Sequence, residues 1–149
     1  MLKPCVGLAL IAISFSQCTS SAALKETSTQ GQVSRCGSEG FRVAEAEHII
    51  DEIKDPFIVC EIKGQAINAT GYGWTKEVKV LFEIRPKGGG QIIRTHADEN
   101  GRFVMKDIPD GQYCFKATVS GWQSVMGTII VNKHADRKNR IVFKMVWAV

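Results

Sequence analysis

Two turn signatures within residues 91–118, Asp98-Glu99-Asn100-Gly101 and Ile108-Pro109-Asp110-Gly111, constrain this chain more than any other feature. In the first, Asp and Asn side chains can hydrogen-bond their own backbone and Gly101 accepts a positive φ. In the second, Pro109 presets φ for a turn and Gly111 lets the chain leave it. Ile93, Thr95 and Ala97 share one face of the run before the first turn, and residues 102–106 read as a strand between the two. Beyond the second, Tyr113, Phe115 and Ala117 alternate with Cys114, Lys116 and Thr118, the period of two expected where one face is buried and the other wet. The segment is therefore expected to form a three-stranded antiparallel meander, with a hairpin closed at Gly101.

Thr95, Asp98, Gly101 and Phe103, followed by Ile108, Pro109, Gly111, Tyr113 and Phe115, form a pattern that resembles the carboxypeptidase regulatory-like domain, a transthyretin-like (prealbumin-like) β-sandwich. The resemblance extends over residues 61–147: Gly64-Gln65-Ala66 is similar to that family's first strand and residues 78–82 to its second. The loop 68–77 is longer and more aromatic than the family's short turn. The resemblance implies an all-β fold, a seven-stranded antiparallel Ig-like or prealbumin-like sandwich. It leaves function open, because the same sandwich accompanies peptidases, transporters and surface proteins.

The remaining pattern agrees with that architecture. Residues 57–63, 78–85, 91–97, 102–106, 112–119, 124–131 and 140–147 read as strands, separated by turn signals such as Lys87-Gly88-Gly89-Gly90 and Ser120-Gly121. Inward-facing candidates are Val78, Val80 and Phe82, then Phe103 and Met105, Tyr113, Phe115 and Ala117, Val125, Ile129 and Val131, and last Ile141, Phe143, Met145 and Trp147. Upstream, Val43, Ala46, Ile50 and Ile53 recur at helical spacing within residues 41–54, and Pro56 bars continuation. That segment is read as a short N-terminal helix or, in its place, an extra edge strand.

The N-terminus reads as an export signal, with Lys3 as a positive start and an apolar run over residues 6–15 too short to span a bilayer. Two cleavage readings stand: after Ala23, or before Cys18, which would then carry a lipid. The expected organisation is a signal over residues 1–23, a polar linker over 24–35, an N-terminal extension over 36–56 and the sandwich over 57–149. Either cleavage delivers an exported domain, periplasmic, secreted or held at the outer membrane. Cys36, Cys60 and Cys114 then remain, an odd number for an oxidising compartment. A Cys36–Cys60 bond with Cys114 free is one expectation; three buried small apolar side chains is the other.

Catalytic patterns are sparse. His48-Ile49-Ile50-Asp51 matches a zinc pair only loosely, and His48, His96 and His134 fall in separate elements. No Cys-x-x-Cys pair, Walker loop, dinucleotide fingerprint or Gly-x-Ser-x-Gly elbow occurs. The hairpin stretch also resembles the collagen-adhesin B-type repeat, whose isopeptide-promoting acid would correspond here to Ala117, so no isopeptide is expected. No catalytic residue, metal or cofactor is assigned.

The net charge is +4, and Lys133, Arg137, Lys138, Arg140 and Lys144 gather near the C-terminus, either as a patch for anionic partners or as charges that discourage edge pairing. Tyr72, Trp74 and Trp122 lie in Gly-containing loops and are the candidate ligand-binding residues, against the alternative that they cap the core. The expectation is a non-enzymatic exported module for binding, adhesion or surface assembly, its partner an envelope protein or polysaccharide and not nucleic acid. The alternative is a small enzyme on a transthyretin-like fold.

Overall fold

A computed structural model describes residues 36–44, 49–75 and 77–148 of the chain. The export signal, Cys18 and the linker lie outside the described residues. Nine strands and no helix are found among the described residues: β1 (Ile50–Glu52), β2 (Phe57–Val59), β3 (Ile62–Asn68), β4 (Leu81–Pro86), β5 (Ile93–His96), β6 (Arg102–Met105), β7 (Gly111–Thr118), β8 (Ser124–Val131) and β9 (Ile141–Met145). The all-β expectation holds. The count and the sense of the strands differ from it, because the two sheets are mixed.

The larger sheet runs β1-β8-β7-β4-β5, and β2 also pairs with β8; the smaller runs β6-β3-β9. Within them β1 and β2 lie parallel to β8, and β3 lies parallel to β9. The predicted strand 57–63 is two strands. β2 belongs to the larger sheet and β3 to the smaller, and the chain changes sheet at Cys60-Glu61.

The meander expected over residues 91–118 does not form. β5 pairs with β4 in the larger sheet, β6 with β3 in the smaller, and β7 is back in the larger sheet beside β4 and β8. Both turns are where the sequence puts them, and Gly101 adopts φ 73°. They are arches between sheets rather than hairpins. A turn signature specifies a reversal, whereas the partner of each strand is decided by which sheet has a vacant edge and a matching apolar face. At the second arch Asp107 adopts φ 57°, and the buried Tyr113 donates its hydroxyl to Pro109 O at 2.9 Å, stapling the turn to the strand that follows.

One apolar cluster takes residues from both sheets. Phe82 and Phe115 of the larger sheet and Phe103 and Phe143 of the smaller are all buried, with Phe82 stacked on Phe103 at 4.0 Å between ring centroids. Burying each such ring contributes about 2 kcal/mol. Gly64 makes the close approach possible. A Cβ there would lie 2.0 Å from Ile141 O and 2.7 Å from the Phe103 ring, so only glycine fits between β9 and that ring.

The helix expected over residues 41–54 is absent from the described part of that segment. Residues 50–52 are β1, and the Ile53 amide donates to Met126 O at 2.9 Å. The free edge of β8 offers unpaired backbone groups, and β-branched Ile50 and Ile53 suit an extended chain there. Val43 and Ile50, two of the four residues assigned to the helix's apolar face, are exposed.

Candidate functional site

The outer face of the larger sheet was expected to be wet, and it is not. Tyr113, Phe115 and Ala117 face the main core as predicted, but Cys114, Lys116 and Thr118 are buried too. Residues 36–44 lie across this face as a strap. Phe41 packs with Cys114 and Met126 in a second small apolar cluster. Arg85 sits over the Phe41 ring at 5.2 Å and donates to the carbonyls of Gly37 and Glu39.

The strap explains the cysteines. Cys36 is bonded to Cys114, with Cα atoms 5.4 Å apart across a sequence separation of 78, and Cys60 is the free thiol among the described residues. The expected Cys36–Cys60 bond is therefore replaced. Cys114 stands on the strap side of β7, in register with Thr128 of β8, while Cys60 sits where the chain crosses between sheets.

Beneath the strap lies a row of charges. Cross-strand register sets Arg94 of β5 beside Glu83 of β4, and Glu83 beside Lys116 of β7. Glu83 and Lys116 are fully buried. Glu83 accepts from the Arg42 amide at 2.8 Å and from Arg94 Nε at 2.6 Å, and Lys116 donates to Arg42 O at 2.8 Å. Both charges are thus spent on the strap's backbone, which satisfies groups that would otherwise be costly to bury.

At the end of the strap a depression of about 380 Å³ is lined by Arg42, Ala44, Lys79, His96 and Thr118. Thr118 Oγ1 is buried there with no hydrogen-bond partner among the described residues. Among the described residues no three His, Cys, Asp or Glu side chains gather as a metal site would require, and no helix is long and apolar enough to cross a membrane.

The three aromatic candidates separate. Trp74 and Trp122 are buried, their rings 5.0 Å apart, and Trp74 Nε1 donates to Ala66 O at 2.8 Å. Gly101 packs against the Trp74 indole, where a Cβ would lie 2.6 Å from Nε1. These two tryptophans close one end of the core. Tyr72 is 80% exposed in its loop. Trp147, assigned to the core from its alternation with Met145, is instead 52% exposed and stacks on Trp122 at 4.5 Å. β9 stops at Met145, and the tail then bridges to the β7–β8 turn, where Gln123 N donates to Val146 O and Ala148 N to Gly121 O. That change of partner breaks the period of two on which the assignment rested.

The sequence reading missed Trp147 as a surface residue. No local signal marks it, because β9 ends at Met145 and its alternation does not extend to Trp147. His96 and His134 are exposed in separate elements, and His48 lies outside the described residues.

Fold and site together define an all-β protein of two mixed sheets, with a strap locked over one face and a tryptophan presented at one end. No family profile and no curated protein matches the chain.

Proposed function

We propose that this chain is a non-enzymatic exported module, a carboxypeptidase regulatory-like β-sandwich, that binds a carbohydrate or protein of the cell envelope. The observation that carries the reading is Trp147, half exposed and held flat against the buried Trp122 ring. A ring fixed by stacking presents an apolar face at little entropic cost, which suits a sugar ring or a partner's side chain. The sandwich reading is supported by a phenylalanine cluster shared between the two sheets. Export is supported by the Cys36–Cys114 bond, which an oxidising compartment would preserve.

The second reading, a small enzyme on the same fold, draws on the Thr118 hydroxyl, which has no hydrogen-bond partner among the described residues, in a depression that His96 also lines from the far side of β4. Cosedimentation of the mature protein with purified peptidoglycan and envelope polysaccharide, using Trp147→Ala and Tyr72→Ala variants, separates the readings. Loss of binding in Trp147→Ala with an unchanged melting temperature is expected. Binding that survives both substitutions, or a stoichiometric zinc or iron in the purified protein, would overturn the module reading.

A further inference from the structure

The two sheets differ in what covers them. The strap lies over the outer face of the larger sheet, while among the described residues nothing is packed on the outer face of the smaller one. Strand alternation and register identify its members. Lys63 pairs with Val104, and Gln65 lies between Arg102 on β6 and Val142 on β9; Ile67 pairs with Lys144. Arg140 precedes Val142 by two and so extends the same row. A shallow depression of about 290 Å³ runs between Lys63, Gln65, Arg102, Arg140 and Val142.

This face carries Lys63, Arg102, Arg140 and Lys144 and no carboxylate from its three strands. Glu61, just before β3, pairs with Lys63 at 2.8 Å, but Arg102, Arg140 and Lys144 make no ion pair among the described residues. Strand separation and rise put the β6 and β9 rows about 10 Å apart and Arg140 about 13 Å from Lys144, so the cations spread over a flat area rather than a slot. Between them Val104 and Val142 are 48% and 46% exposed, and Val146 beyond β9 is 45% exposed. Edge protection would account for charges on β6 and β9. It accounts neither for Lys63 on the central strand nor for the exposed valines.

We infer that the outer face of the β6-β3-β9 sheet docks on an anionic lipid surface. Separated cations meet acidic headgroups, each contributing additively, and the valines between them enter the headgroup boundary. An anionic polysaccharide would use the same charges but would gain nothing from small aliphatic side chains. The valines decide between them. The face is separate from the Trp147 platform, and the inference does not depend on what that platform binds.

The test is cosedimentation of the full mature protein, in a Cys18→Ser background so that no acyl chain contributes, with phosphatidylcholine vesicles with and without phosphatidylglycerol. Binding is expected only with phosphatidylglycerol. The triple variant Lys63→Gln/Arg102→Gln/Lys144→Gln should bind on the order of a hundredfold more weakly, at about fivefold per cation. Val104→Ser/Val142→Ser should weaken binding severalfold at unchanged charge. Lys54→Gln/Lys79→Gln/Lys87→Gln, an equal charge change away from this face, should bind as the parent does. All substituted side chains but Lys63 and Lys87 are exposed, and matching melting temperatures establish that the variants fold. The inference is overturned by absence of binding to phosphatidylglycerol vesicles. It is equally overturned if the control triple weakens binding as much, or if the valine variant is unaffected while a soluble polyuronate competes the protein off the vesicles.

Discussion

Breaking the strap's covalent lock should unmake more than one bond. Cys36 and Cys114 close a loop across a sequence separation of 78. Chain entropy alone then gives about 4.5 kcal/mol, and measured bonds of this kind deliver about 2–4 kcal/mol. The Cys36→Ala/Cys114→Ala variant also frees the Phe41 cluster and the strap backbone that satisfies Glu83 and Lys116. At about 4 °C per kcal/mol for a domain near this size, the melting temperature should fall by roughly 8–18 °C. Thermal unfolding followed by circular dichroism, with and without reductant, reads this directly, and reductant should leave the double variant unmoved. Hydrogen exchange should show the Arg42 amide, protected by Glu83 in the parent, opening in the variant. Cys60→Ala is the control, since that thiol is free. A double variant melting within about 3 °C of the parent would refute the strap's contribution. A large fall in Cys60→Ala instead would mean that the bond runs through Cys60.

Glu83 and Arg94 form one 2.6 Å pair in which Glu83 is fully buried and Arg94 is half exposed. Glu83→Ala should cost about 3–5 kcal/mol, because it orphans the Arg42 amide and removes the carboxylate beside the buried Lys116, whereas Arg94→Ala leaves the buried carboxylate with the Arg42 amide still donating to it and should cost about 1–3 kcal/mol; urea unfolding of the two variants measures both. Gly64→Ala should cost at least 3 kcal/mol, on the order of severe overpacking, since its methyl would meet Ile141 O and the Phe103 ring. Its expected readout is a lowered melting temperature, and an unchanged one would show that β9 can move aside.

Much of this protein was legible in one dimension. Period-two runs located β6, β7, β8 and β9 to within one or two residues, and residues 124–131 coincide with β8. Asn100-Gly101 and Pro109-Asp110-Gly111 marked reversals that are present. These are local properties: a pleat alternates side chains and a turn needs certain φ values, whatever lies nearby. The reading lost its hold where a choice between partners was involved. Cys114, Lys116 and Thr118 occupy the face that alternation marks as polar, and residues 36–44 bury it from far away in sequence. No periodicity encodes that cover, and with it went the disulfide partner and the ion row beneath.

Trp147 makes the same point at the candidate site, where one bridge to Trp122 turned a core assignment into an exposed platform. The sequence by itself determined that the described chain from Phe57 onward is all β, where its reversals fall and which residues of most strands share a face. Only the tertiary structure decided which sheet each strand joins, which cysteines meet and which faces remain open. Alternation is imposed by the backbone within a few residues, whereas pairing and cover arise from long-range competition for edges and apolar surface, which no short stretch of the chain contains.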